Sequence, residues 1–217
     1  MRNLFYLLLN LSFVSCIALQ EQKSSFSELQ NNRIFQYQNH EPMRLWEITS
    51  KSDSVLLRQE STDIQLPEDQ LIAEKLARGL LTTVTDTANP GVGIAAPQVG
   101  VLKNMILVQR FDKINNPYEI YLNPTIGQFS KLKQPCLEGC LSIPNRMDTT
   151  RTRAYAILLT YQTMEGERKT ELVEDFTAVI FQHEIDHLRG ILYIDHLDQE
   201  LEDAENQLKL QQHQTNK

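Results

Sequence analysis

The stretch QHEIDHLRG, Gln182 to Gly190, sets His183 and His187 four residues apart with Glu184 between them. On an α-helix that spacing projects both imidazoles from one face, one turn apart, where they can meet a single cation. Catalytic zinc-type sites take three protein ligands and keep one position for water, so a third donor is required, and Glu184 can serve as general base. A solvated helix face bearing two unrelated histidines would read the same way, so the pattern needs a partner elsewhere. Cys140, in CLEGCLSIP, supplies one: Glu138, Gly139 and Pro144 around it mark a shaped loop or strand end. A thiolate there completes a Cys/His/His set suited to zinc or ferrous iron. Taken alone, a free cysteine is more often a small core residue than a ligand. A third segment, GVGIAAPQVG from Gly91 to Gly100, combines small residues with the amide of Gln98 and lets backbone approach something closely. It matches neither a phosphate-binding loop, having no lysine after it, nor the dinucleotide fingerprint.

These residues need elements to hold them. LPEDQLIAEKLARGLLTTVTDT spaces Leu71, Ile72, Lys75, Leu76, Gly79 and Leu80 close to i, i+3, i+4, with Pro67 and Glu68 as start signals, which predicts an amphipathic helix. KNMILVQRF, YEIYLNPTIGQF and AYAILLTYQTMEGERKTELV are rich in β-branched and aromatic residues, with MEGER as a turn, and predict antiparallel strands. Helical character returns from about Glu174 to Leu188, and a final helix is expected with Leu197, Leu201, Ala204 and Leu208 on one side. The fold class expected is α+β, antiparallel sheets around a central helix carrying the HExxH motif.

A length of 217 residues with 41% hydrophobic content allows one catalytic domain with a buried core. The formal charge of -7 argues against nucleic-acid binding through a broad basic surface. Three cysteines, Cys16, Cys136 and Cys140, are too few for a disulfide scaffold. Residues 1–15 read as a signal peptide, with a lipoprotein type as a variant of that reading. Arg2 precedes an apolar run from Leu4 to Val14, far shorter than the roughly 20 residues of a membrane span, and Ser15-Cys16 is similar to a lipoprotein cleavage box, with Phe13 a poor match to its usual leucine. Residues 16–46, rich in Gln, Asn and Ser, are expected to be a polar linker and a membrane tether, 47–197 the catalytic domain, and 198–217 a C-terminal helix and tail.

In order, and at roughly forty-residue intervals, GVGIAAPQ, EGCLS and QHEIDH resemble the three signature motifs of the peptide deformylase family, over about residues 48–197. The resemblance implies a metal-dependent hydrolase that removes the formyl group from N-formylmethionyl peptides, giving formate and a free amine. It implies Cys140, His183 and His187 as ligands of one divalent ion, Fe(2+) first and Zn(2+) as the alternative. It further implies Glu184 as the catalytic carboxylate, and Gln98 with the backbone N–H of Leu141 as donors to the oxyanion. Val92, Cys136, Phe176 and Val179 stand where the family lines its methionine pocket, and Arg146 falls near a substrate-contacting arginine of some members. Gly93 and Ile94 can pair by backbone with an extended substrate. Asp186 with Arg153 can orient the helix from behind the metal, whereas His40, His196 and His213 are expected at the surface. Two other readings stay open: an exported metallohydrolase of this fold acting on another small amide, and a metal-binding protein without turnover, although Gln98, Leu141 and Glu184 favour catalysis. A zincin-type peptidase fits less well, since its third ligand lies downstream and Cys140 lies upstream. The leader points to the cell envelope, the family to the cytoplasm, and the oligomeric state is left open.

Overall fold

The computed structural model describes residues 24–38 and 41–215, with side chains described as far as residue 206. The leader, Cys16, His40 and the side chains of Leu208 and His213 lie outside the described residues. Among the described residues, alternating and β-branched segments form seven strands in two antiparallel sheets. The larger has the order β1 (Gly93–Ala95), β2 (Met105–Gln109), β3 (Tyr118–Phe129), β6 (Ala156–Gln162), β7 (Arg168–Glu174), and the smaller pairs β4 (Cys136–Cys140) with β5 (Ile143–Thr150). β6 and β7 pair from Ala156↔Glu174 to Gln162↔Arg168, and the expected MEGER turn joins them with Gly166 at φ +83°.

The helix α4, Asp175–Leu188, leaves β7 and runs across β1, β2, β6 and β7. It is buried along almost its whole length, so it is the axis of the fold rather than a solvated face. Its Ala178, Phe181, Ile185 and Leu188 pack with Ile106, Val108, Tyr121 and Leu159 of the sheet. Gln182 fixes its height: the side-chain amide accepts from Ala154 N and donates to Ala154 O, both at 2.9 Å, satisfying strand-end groups that would otherwise be buried unpaired. The helix α3, Gln70–Val84, covers a second core cluster through Ala73, Leu76, Leu80 and Val84. Pro67 and Glu68 form the turn before it, and Leu71, expected on the apolar side, is 68% exposed. Among the described residues no helix is long and apolar enough to cross a membrane.

Two expectations need correction. The linker expected over 16–46 is, from Ser24, part of the folded body. The helix α1, Glu28–Gln36, opens with a capping box between Ser27 and Gln30, and Phe26, Ile34, Tyr37 and Met43 enter the α3 cluster. Asp69, fully buried, accepts from Ser24 Oγ at 2.7 Å and Ser25 N at 2.9 Å, and Lys103 donates to Ser25 Oγ at 2.7 Å. Ile34 of the helix and the flanking Phe26, Tyr37 and Met43 suffice to dock it when the chain before it answers buried polar groups. The last helix, α5 (Tyr193–Thr215), packs its apolar Tyr193, Ile194 and Leu197 on the body and bonds Arg58 through Asp195, Asp186 through His196 and Arg151 N through Glu200, while Leu201 and Ala204 are exposed. Between these two, a short helix α2 (Lys51–Leu57) buries Asp53 and Leu57.

Candidate active site and metal centre

The three motif segments meet in one cleft of about 830 Å³. Gly91–Gly100 becomes β1 followed by a 3₁₀ turn, Ala96–Val99, which holds Gln98 at the cleft floor. Cys140 ends β4, where the register jumps from Gly139↔Met147 to Cys140↔Ile143. That irregularity pushes Pro144, Asn145 and Arg146 out along the cleft, in the way bulges re-aim side chains beside sites. α4 brings His183, Glu184 and His187 up from below.

The donor atoms of Cys140, His183 and His187 all lie within 4.8 Å of one another, with Cys140 Sγ 3.2 Å from His187 Nε2. His183 turns Nδ1 toward the Glu138 carboxylate at 2.8 Å, so the proton sits there and the Nε2 lone pair is left for a cation. Desolvation would raise the Cys140 thiol, but the charge of His187 and hydrogen bonds from both histidines outweigh it and bring the thiol down to about 5, a thiolate at neutral pH. A thiolate and two imidazoles gathered at a cleft floor, one imidazole oriented by a carboxylate, fit a divalent cation.

Glu184 is 4% exposed, lines the cleft, and its Oε2 has no hydrogen-bond partner among the described residues. Burial pushes its carboxyl up to about 7 against the opposing pull of His183 and His187, poised to take and release a proton near neutrality. It lies tight against β1: a Cβ on Gly93 would stand 2.5 Å from Glu184 Oε1 and 2.8 Å from Ile180 Cγ2, so only glycine fits there. Gln98 is fixed as firmly. Its Oε1 accepts from Ala95 N at 2.8 Å, and its Nε2 donates to Ser142 Oγ at 3.3 Å and approaches Cys140 Sγ at 3.6 Å.

Behind the donors runs a buried charged chain. Arg153 donates to both oxygens of Glu138 at 2.8 Å and to Asp186 Oδ2 at 2.6 Å, and His196 Nε2 meets Asp186 Oδ2 at 2.8 Å. Burial alone would raise the Glu138 carboxyl; hydrogen bonds from His183 and Arg153 and the Arg153 charge hold it far below the usual carboxylate range. The Asp186–Arg153 pair expected from the sequence is present, and His196, expected at the surface without a partner, is half-buried at its end.

Most of the expected pocket residues line the cleft. Val92 and Phe176 are over a third exposed there, Phe176 with its ring 5.4 Å from Phe111, while Val179 is buried and Cys136 half-buried. Gly93, Leu141 and Arg146 line it as well, Arg146 paired with Asp148 at 2.7 Å. Ile94 does not: its side chain is fully buried in the α3 cluster, so only its backbone, on an edge strand, remains available. Glu138 and Ser142 went unassigned in the sequence; nothing in a lone charge or hydroxyl on a strand says which side chain it will orient.

Fold and site together define a metal-dependent hydrolase with an extended, strand-bordered cleft. Residues 46–203 match the family model for polypeptide deformylase. The chain is 40% identical over 153 residues to the peptide deformylase of Synechocystis sp., covering 70% of this chain and 79% of that one, and 36% identical over 157 residues to that of a Caulobacter species, covering 71% and 87%. It superposes on the Met-Ala-Ser-bound class I type b peptide deformylase of Acinetobacter baumannii with a TM-score of 0.64 at 29% identity, covering 72% of this chain and 99% of that one. The chain belongs to the polypeptide deformylase family, an enzyme family of metal-dependent hydrolases that remove N-formyl groups.

Proposed function

We propose that Cys140, His183 and His187 hold the single catalytic metal, that Glu184 moves the proton, and that Gln98 and the Leu141 backbone N–H receive the oxyanion. The observation carrying this reading is the convergence of Cys140 with the two histidines of a distant helix, all within 4.8 Å, beside a buried carboxyl raised to about 7. A divalent metal held there supplies an activated water and a Lewis acid for the formyl carbonyl. Glu184, unpartnered and desolvated, takes a proton and passes it to the leaving amine. The Gln98 amide, locked by Ala95 and Ser142, is oriented before substrate arrives, which is what makes an oxyanion donor effective. An N-formylated peptide lies extended along the β1 edge at Gly93 and Ile94, opposite β4, with its methionine side chain among Val92, Cys136, Phe176 and Val179 and its later residues toward Arg146. The thiolate and imidazole set suits ferrous iron, our first assignment, and zinc as the alternative. Elemental analysis of Cys140→Ala tests the assignment: most of the metal is lost, and full occupancy would overturn it.

The address is a separate proposal resting on sequence. The Leu4–Val14 run and Ser15-Cys16 support removal of residues 1–15 with lipidation of Cys16, a membrane tether and an envelope location. With Ser24 onward packed on the body, the linker reading now concerns residues 16–23 alone. Mass spectrometry of the native N-terminus tests it; an intact, unlipidated chain in the cytosolic fraction would sink it.

A further inference from the structure

α1 lies ahead of the residues matched by the family model, 46–203, yet it grips the backbone that carries Gln98. The Arg33 guanidinium donates to the carbonyl of Gly100, two residues beyond Gln98, and Gln30 Nε2 reaches the Leu102 carbonyl at 3.3 Å. Trp46 N donates to the Gln98 carbonyl itself at 2.8 Å. Gly100 ends the 3₁₀ turn at φ +78°, and the Trp46 indole occupies the space its Cβ would need. Arg33 and Arg44 lie over that indole, 4.6 and 4.7 Å from its centroid, and Arg44 is tied to buried Asp53 at 2.6 Å. The turn is therefore held on its cleft side by Ala95 and Ser142 and on its outer side by Trp46 and the arm.

We infer that Arg33, through Trp46 and the Gly100 carbonyl, is a positioning residue for Gln98, so that the N-terminal arm sets where the side-chain amide meets the formyl oxygen. This rests on the assignment of Gln98 as oxyanion donor. Donors of that kind work because they are fixed in advance, and a displacement on the order of 1 Å from a remote change can cost up to about 10²-fold in rate. An arm that only stabilised the fold would lower the melting temperature and leave the chemical step of the folded enzyme untouched.

The test is a double-mutant cycle in the full, metal-loaded chain: wild type, Arg33→Met, Gln98→Leu and the double variant, assayed on a formyl-Met tripeptide below the unfolding temperature. Gln98→Leu lowers kcat on the order of 10²-fold. Arg33→Met lowers kcat about 10-fold with KM changed less than about 2-fold, and the double variant is no slower than Gln98→Leu alone. An unchanged kcat in Arg33→Met, or two losses that multiply in the double variant, overturns the inference while Gln98 keeps its role. A near-wild-type rate in Gln98→Leu overturns the oxyanion assignment and the role of Arg33 with it. If Arg33→Met does not fold, Arg33→Lys, which keeps the charge but not the planar fork, carries the same cycle with the same expected pattern.

Discussion

Replacing Glu138 with Gln keeps the side-chain volume and one acceptor oxygen while deleting a charge from a buried chain running His183, Glu138, Arg153, Asp186. In the native arrangement both Glu138 oxygens receive Arg153, one of them also His183, and Thr150 donates to the other. An amide in that place presents an NH₂ where an acceptor is required, so one donor of Arg153, Thr150 or His183 is left facing another donor. Removing one partner of a buried pair costs roughly 3 to 5 kcal/mol. Arg153 keeps Asp186 at 2.6 Å, which places this loss at the lower end, about 3 kcal/mol. With a urea m-value of about 2 kcal/mol/M, the midpoint falls by about 1.5 M. Loss of the carboxylate on His183 Nδ1 should also weaken metal binding about 10- to 100-fold. Urea titration and chelator competition on the same preparation read both effects. A midpoint within about 0.3 M of wild type together with unchanged metal affinity would refute the idea that Glu138 neutralises Arg153 and orients His183.

Glu184→Gln preserves shape, so metal content should hold while kcat falls by about 10² to 10⁴; a fast, metal-replete variant would remove Glu184 from the mechanism. Gly93→Ala drives a methyl into Glu184 and Ile180, and a displaced carboxylate should slow turnover by about 10² at unchanged metal occupancy; a rate near wild type would show that Glu184 has room to spare. For Asp69, burial would raise the carboxyl, but hydrogen bonds from Ser25, Gln65 and Ser24 outweigh it and hold it below its ordinary value. A depressed pKa contributes stability that is full above about pH 4 and is lost as pH falls through the folded value. Hydrogen exchange should therefore show residues 24–37 losing protection on acidification below about pH 4, with Asp69→Asn reproducing the loss at neutral pH; equal protection in both conditions would contradict the anchoring role.

The site was legible because its chemistry is encoded locally. Two histidines at i and i+4 share a helix face wherever that helix sits, and a cysteine beside Glu138-Gly139 announces a shaped strand end. The strands β2, β3, β6 and β7 were legible for the same reason, written in β-branched and aromatic runs, whereas β1, inside the glycine-rich segment, was not. What stayed hidden depends on contacts far along the chain. Leu71 and Leu201 have the spacing of a buried stripe and are exposed because, among the described residues, no neighbour covers them. Asp186 and His196 meet only because the chain folds back after α4. The N-terminal arm shows few apolar letters, and its one local signal, the Ser27-x-x-Gln30 capping box, was readable but says nothing of where the helix docks.

The most direct measurement is formate release from a formyl-Met tripeptide by the full chain purified without oxygen, with metal content determined on the same sample. The account predicts one equivalent of formate per free amine produced, at a rate that scales with metal bound and collapses when Cys140, His183 or His187 is replaced. Metal-replete, folded protein that releases no formate would contradict it.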